Sequence, residues 1–97
     1  MHKKEKVYEC SFINTEYIQN SDQREIFLEY YLLFNEEKNI FGIEVLKKEI
    51  NSQGLENIET EFVTEYNEDI NIAKKVIGML GENRVTPVTL NEVLLEI

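Results

Sequence analysis

The chain has 97 residues, 42% hydrophobic and 10% aromatic, enough for one modest core and too apolar for a disordered segment. Its formal net charge of −9 disfavours direct contact with nucleic acid or an anionic membrane, whose affinity comes from Lys and Arg, and it suits a basic protein partner. No apolar run approaches the roughly 18 to 20 residues that span a bilayer. The basic start, Met1 to Lys6, runs into Glu9 instead of the apolar region of a leader peptide. A single cysteine, Cys10, forms no internal disulfide and points to a reducing, cytoplasmic setting. The reading is one domain over residues 1–97, with residues 1–6 as a disordered tail.

Val7 to Asn14 reads as a strand, with Tyr8, Cys10 and Phe12 on one side and Glu9 and Ser11 on the other. Residues 14–24 are polar, with a turn at Asn20-Ser21-Asp22. Glu25 to Asn35, EIFLEYYLLFN, alternates Ile26, Leu28, Tyr30, Leu32 and Phe34 against Phe27, Tyr31 and Leu33, interrupted by Glu29. Apolar on both sides and rich in aromatics, it reads as a central strand that needs cover on both faces. The cover for the second face is the N-terminal segment, the loop around Tyr17 and Ile18, or a second copy of the protein.

A hairpin-sized connection, Glu36 to Asn39, leads to a strand from Ile40 to Glu49, with Phe41, Ile43 and Val45 opposed to Gly42, Glu44 and Leu46. After a turn at Asn51-Ser52-Gln53-Gly54, the pattern alternates again. It predicts a strand with a dry face of Ile58, Thr60, Phe62, Thr64 and Tyr66, and a wet face of Glu59, Glu61, Val63 and Glu65. From Asp69 the period becomes helical: Ile70, Ala73, Val76, Ile77 and Leu80 share a stripe, Asp69 caps the start, and Gly81 or Asn83 supplies a left-handed stop. Thr89 with Glu92 reads as a capping box and Val88 with Val93 as a hydrophobic staple for a last helix, whose Leu90, Val93, Leu94 and Ile97 dock on the body. The fold class is therefore α+β: a four-stranded antiparallel meander followed by two C-terminal helices packed on one sheet face.

Catalytic chemistry finds little support. The single histidine, His2, stands at the terminus, so Ser-His and Cys-His nucleophiles have no base in the body. No phosphate-binding glycine motif, HExxH or calcium loop is present. Carboxylates at Glu59, Glu61 and Glu65 sit roughly 6.6 to 6.8 Å or more apart along a strand, so they splay instead of converging. The expectation is a non-enzymatic chain without metal or cofactor.

The distinctive feature is charge. Leu55 to Asp69 holds six acidic residues, and no Lys or Arg falls between Lys48 and Lys74. An acidic strand face extended by Glu44, Glu49, Glu68 and Asp69 would meet a basic, nucleic-acid-binding protein by imitating phosphates, in the manner of anti-restriction and anti-CRISPR proteins. Duplex DNA carries a charge per about 1.7 Å, denser than one strand face provides, so mimicry needs those additional acids on the same side. Tyr31 and Tyr66 border the contact surface in this reading. The alternative is a self-associating accessory or structural protein, a homodimer whose sheet pairs with a second copy, and whose acidic face is solvated and guards an exposed edge.

The segments NRVTPVTLNEVLLEI (Asn83 to Ile97), YYLLF (Tyr30 to Phe34) and FGIEV (Phe41 to Val45) resemble a family of small uncharacterised proteins of clostridia and related Firmicutes. Its members carry a Tyr-Tyr-Leu strand, a Tyr-Gly-Ile-Glu strand and a C-terminal Val-Thr-Pro-x-His-Leu-x-Asp-Val signature in this order. The resemblance covers Glu25 to the end and is most specific at Val85-Thr86-Pro87. The chain departs from it at Thr89, where the family carries His, and at Phe41, where it carries Tyr. The resemblance implies the same element order and a bacterial cytosolic setting, and it brings no activity.

Overall fold

A computed structural model of the chain describes residues 2–14 and 23–97. Four strands, β1 (His2–Asn14), β2 (Arg24–Asn35), β3 (Ile40–Ile50) and β4 (Glu56–Asn67), are followed by helices α1 (Ile70–Glu82) and α2 (Leu90–Glu96). The sheet order is β1-β2-β3-β4 and every neighbouring pair is antiparallel, as the meander requires. The turn expected at Asn20-Ser21-Asp22 and the loop around Tyr17 and Ile18 lie outside the described residues. The tail expected over residues 1–6 is instead part of β1 from His2 onward: Lys3 to Lys6 pair with Phe34 back to Tyr31. Their lysines reach carboxylates across the sheet, and this replaces the apolar alternation that would have announced a strand.

One face of the sheet carries the core. Ile26, Leu28, Tyr30 and Leu32 of β2 and Ile43 and Val45 of β3 pack against Ala73, Val76, Ile77 and Leu80 of α1 and against Leu90. Burying side chains of this size contributes about 1.5 to 3 kcal/mol each. α1 reaches the sheet closely because Gly81 sits directly on the ring of Tyr8, where any Cβ would collide. Tyr8 in turn meets Tyr30 edge to face at 5.9 Å. The Tyr30 hydroxyl donates to the carbonyl of Val85 at 2.7 Å, tying the segment after α1 to the sheet centre. Burial pushes the Tyr30 phenol well above its ordinary value, with the nearby Cys10 and Tyr8 adding to the effect.

The helix ends show what local pattern reading captures. Asp69 caps α1, accepting from the Asn71 N–H at 2.8 Å, as expected. The left-handed residue at the other end is Arg84 (φ 52°), one position beyond Asn83 and not at Gly81. Val85 N–H then bonds to Leu80 O at 3.0 Å and Arg84 N–H to Gly81 O at 3.1 Å, the Schellman arrangement. The Arg84 guanidinium stands 4.5 Å from the Phe12 ring centre, a contact that helps hold it there.

The capping box and staple do not form. Pro87–Thr89 makes a 3-10 turn that leaves Thr89 near helical backbone angles, and its hydroxyl turns back to the carbonyl of Thr86 at 3.3 Å. Val88 is 79% exposed, so it staples nothing. Leu90 is fully buried and Val93 and Leu94 lie against the core, while Ile97 stays exposed.

Candidate interaction surface

Strand register assigns every side chain of the sheet to one of two faces, because directly paired residues share a face. On β4 the assignment reverses the expected one. Val45 pairs with Glu61, Lys47 with Glu59 and Ile43 with Val63, so Glu59, Glu61 and Val63 lie on the helix-covered side. Glu44 pairs with Phe62 and Lys48 with Ile58, which puts these two apolar residues on the open side, 54% and 56% exposed. The dry face expected for Ile58, Thr60 and Phe62 is thus the uncovered one.

The reversal has a local cause. Between the pairs Ile43–Val63 and Phe41–Asn67, β4 advances four residues while β3 advances two. This bulge breaks the alternation between Val63 and Asn67, and Tyr66 within it packs on the core beside Val63. Gly42 makes the bulge possible: a Cβ there would run into the carbonyl oxygens of Val63 and Thr64. At the outer strand of the sheet, α1 gives only partial cover, so Glu59 and Glu61 are tolerated half-exposed on the core side.

The eight expected contact residues do not share one surface. Glu59 and Glu61 sit on the helix side of the outer strand. Glu65, at the bulge, is paired with Lys38 of the β2–β3 turn. Glu68 and Asp69 are exposed in the β4–α1 connection, where Asp69 is engaged as the helix cap. Tyr66 faces the core. Only Glu44 and Tyr31 come together, as cross-strand partners on the open face.

That face is built from Phe27, Tyr31 and Leu33 of β2, Leu46 of β3, and Ile58 and Phe62 of β4, with Ile13 at the end of β1. Its three lysines are each held by glutamates of the same face. Lys4 bonds Glu44 at 2.8 Å and stands 4.2 Å over the Tyr31 ring. Lys6 bonds Glu9 at 3.0 Å and Glu29 at 3.2 Å. Lys48 reaches Glu56 at 3.3 Å. The Tyr31 hydroxyl donates to Glu29 at 2.8 Å, and this bond, with Lys6 beside it, holds the Glu29 carboxyl below its ordinary value. The same glutamates push Lys6 up to about 12, Glu9 contributing most. The sequence announced this surface in the two-sided apolar pattern of β2; Ile58 and Phe62 were hidden by the assumption of one unbroken period along β4.

Elsewhere the molecule offers less. A cavity of about 560 Å³ opens between the end of α1 and α2, lined by Met79, Arg84, Thr89, Val93 and Ile97, but Thr89 is turned to Thr86 and Arg84 to Phe12. Cys10 is half-buried on the core side, and burial pushes its thiol up, away from reactivity. Among the described residues no group of His, Cys, Asp and Glu is placed to hold a metal ion, and no helix is long and apolar enough to cross a membrane.

The sequence model of a protein family described as "Family of unknown function (DUF6514)" matches residues 9–97. No curated protein matches the chain, and no solved structure does.

Proposed function

The chain belongs to this family of unknown function, and on its geometry we propose that it is a non-enzymatic protein-binding module working through the open face of its sheet. The observation that carries this reading is the exposure of Ile58, Phe62 and Ile13, each more than half exposed, on a sheet whose other face is already covered by helices. Exposed apolar side chains gathered on one face mark a protein contact site, and here they are interleaved with the ion pairs of Glu29, Glu44 and Lys48. A cytoplasmic setting in a bacterium, and the clostridial and Firmicute range with its Val-Thr-Pro signature, belong to the same proposal.

A second reading keeps the acidic stretch as the contact surface and a basic, nucleic-acid-binding protein as the partner, blocked by phosphate mimicry. The absence of Lys and Arg between Lys48 and Lys74 favours it. The dispersal of Glu44, Glu59, Glu65 and Glu68 over several surfaces supports the open-face reading instead.

Capture from a lysate of the producing cell separates the two. The paired variants are Ile58→Lys with Phe62→Lys on the open face, and Glu59→Lys with Glu61→Lys on the outer strand. The open-face reading expects loss of the captured protein with the first pair only. Loss with the second pair only, together with displacement by added DNA, would overturn it in favour of mimicry.

A further inference from the structure

Resting on the open-face reading above, we infer that the occupant of this face is a second copy of the same chain, docked face to face about a two-fold axis. Three observations select it. The first is area. Four strands about 4.8 Å apart, each offering ten or more residues at about 3.3 Å, present roughly 700 Å². A stable interface takes about 800 Å² from each partner, a size this face approaches once side-chain relief is counted, with Leu33 on it already buried. Two such sheets packed about 10 Å apart would form a sandwich whose outer layers are the helices.

The second observation is charge. Lys4, Lys6 and Lys48 are each engaged by glutamates of their own face, so its cations are already paired, and among the described residues Glu25, at the Arg24 end, is the carboxylate of this face that no lysine reaches. A basic partner needs free carboxylates, and Glu29, Glu44 and Glu56 are committed. A copy of this face needs none. The acids that make up the chain's excess, such as Glu59, Glu61, Glu65, Glu68 and Asp69, lie off this face, so the two copies bring their like charges to the periphery.

The third observation concerns the chain's own reach. Residues 15–23 connect Asn14 to Arg24, which pair with each other at one end of the sheet. Going out and back, a connection of this length reaches at most roughly 17 Å. Phe62 lies beyond that reach: it is level with Tyr31, roughly 23 Å along the strands from Arg24 at about 3.3 Å per residue, and two strands across from β2.

Sedimentation velocity of the full chain across micromolar concentrations tests the inference, at low and at high salt. The wild type should run as a dimer of twice 11.5 kDa. Its dissociation constant should hold or fall as salt rises, because salt screens the repulsion between two acidic chains and hardly touches apolar contact. Phe62→Lys and Ile58→Lys should each raise that constant at least about 100-fold, while keeping the wild-type circular dichroism spectrum. Glu59→Lys should leave the dimer intact. A wild type that is monomeric at every concentration overturns the second copy alone, and the capture experiment then decides whether the face binds another protein. A dimer that survives both open-face substitutions overturns the inference and places self-association elsewhere. Phe62→Ser provides a check if the lysine variant misfolds: it removes the contact without adding a charge and should weaken the dimer in the same direction.

Discussion

The two faces of this sheet are made by the same four strands and obey different rules. On the helix side, Leu28, Tyr30, Ile43 and Val45 are fully buried, and the one polar group among them, the Tyr30 hydroxyl, has a fixed acceptor. On the open side, aromatic and aliphatic residues alternate with lysine and glutamate pairs, and the largest apolar side chains of β4 are half in water. The first face shows what a strand needs in order to fold; the second shows what it keeps available after folding. The difference predicts that equal truncations on the two sides will have unequal effects, one on stability and the other on association.

The largest expected effect is on the buried side. Ile43→Ala should cost about 2 to 5 kcal/mol, by lost transfer energy and a cavity under α1. Thermal unfolding by circular dichroism would show a fall on the order of 10 °C or more. Phe62→Ala, one strand away on the open side, should shift the monomer's midpoint by no more than a few degrees. If the two shifts are comparable, the open face is part of the core.

Gly42→Ala comes next. Its methyl group would push into the Val63 and Thr64 carbonyls, so the bulge must move, at about 1 to 3 kcal/mol. Amide exchange should then quicken at Val63 to Asn67 before it does in β2. Tyr30→Phe should cost about 1 to 3 kcal/mol, because it leaves the Val85 carbonyl buried without its donor. An unchanged urea midpoint would mean that water replaces the hydroxyl.

The smallest effect concerns the ion pairs of the open face. The Glu29 carboxyl is held low chiefly by the Tyr31 hydroxyl, so its contribution is present above its ordinary value of 4.5 and is lost as pH falls through and below the lowered one. Glu29→Gln should therefore lower stability slightly at neutral pH, with the difference from wild type vanishing in acid, so that the acid side of the curve flattens. Parallel wild-type and variant curves throughout acid would show that the pair adds nothing.

The order of elements, the meander, the capped start of α1 and the faces of β1, β2 and β3 were legible because each rests on a period sustained for several residues. The failures share a physical origin: a local device that interrupts a period. Two extra residues at the β4 bulge broke the alternation that tied Tyr66 to Ile58 and Phe62, and only Gly42, which the sequence offered without a turn around it, hinted at the interruption. The 3-10 turn at Pro87 displaced a cap whose residue types were otherwise in place. The beginning of β1 is charged because its neighbours supply partners, such as Glu36 for Lys3 and Glu44 for Lys4, and a partner on another strand leaves no trace in a single segment.

The hydroxyl that closes on Val85 also gives the protein an optical gauge of its own integrity. With no tryptophan and five tyrosines, the near-ultraviolet spectrum is tyrosine throughout. Tyr30 resists ionising while it is enclosed, so its protonated form favours the closed state below the ordinary phenol value of 10.0, and that preference drains away as alkalinity increases. The phenolate band at alkaline pH should then include a late stage in which Tyr30 ionises only as the sheet parts from α1, turning a simple absorbance titration into a reading of when the molecule opens.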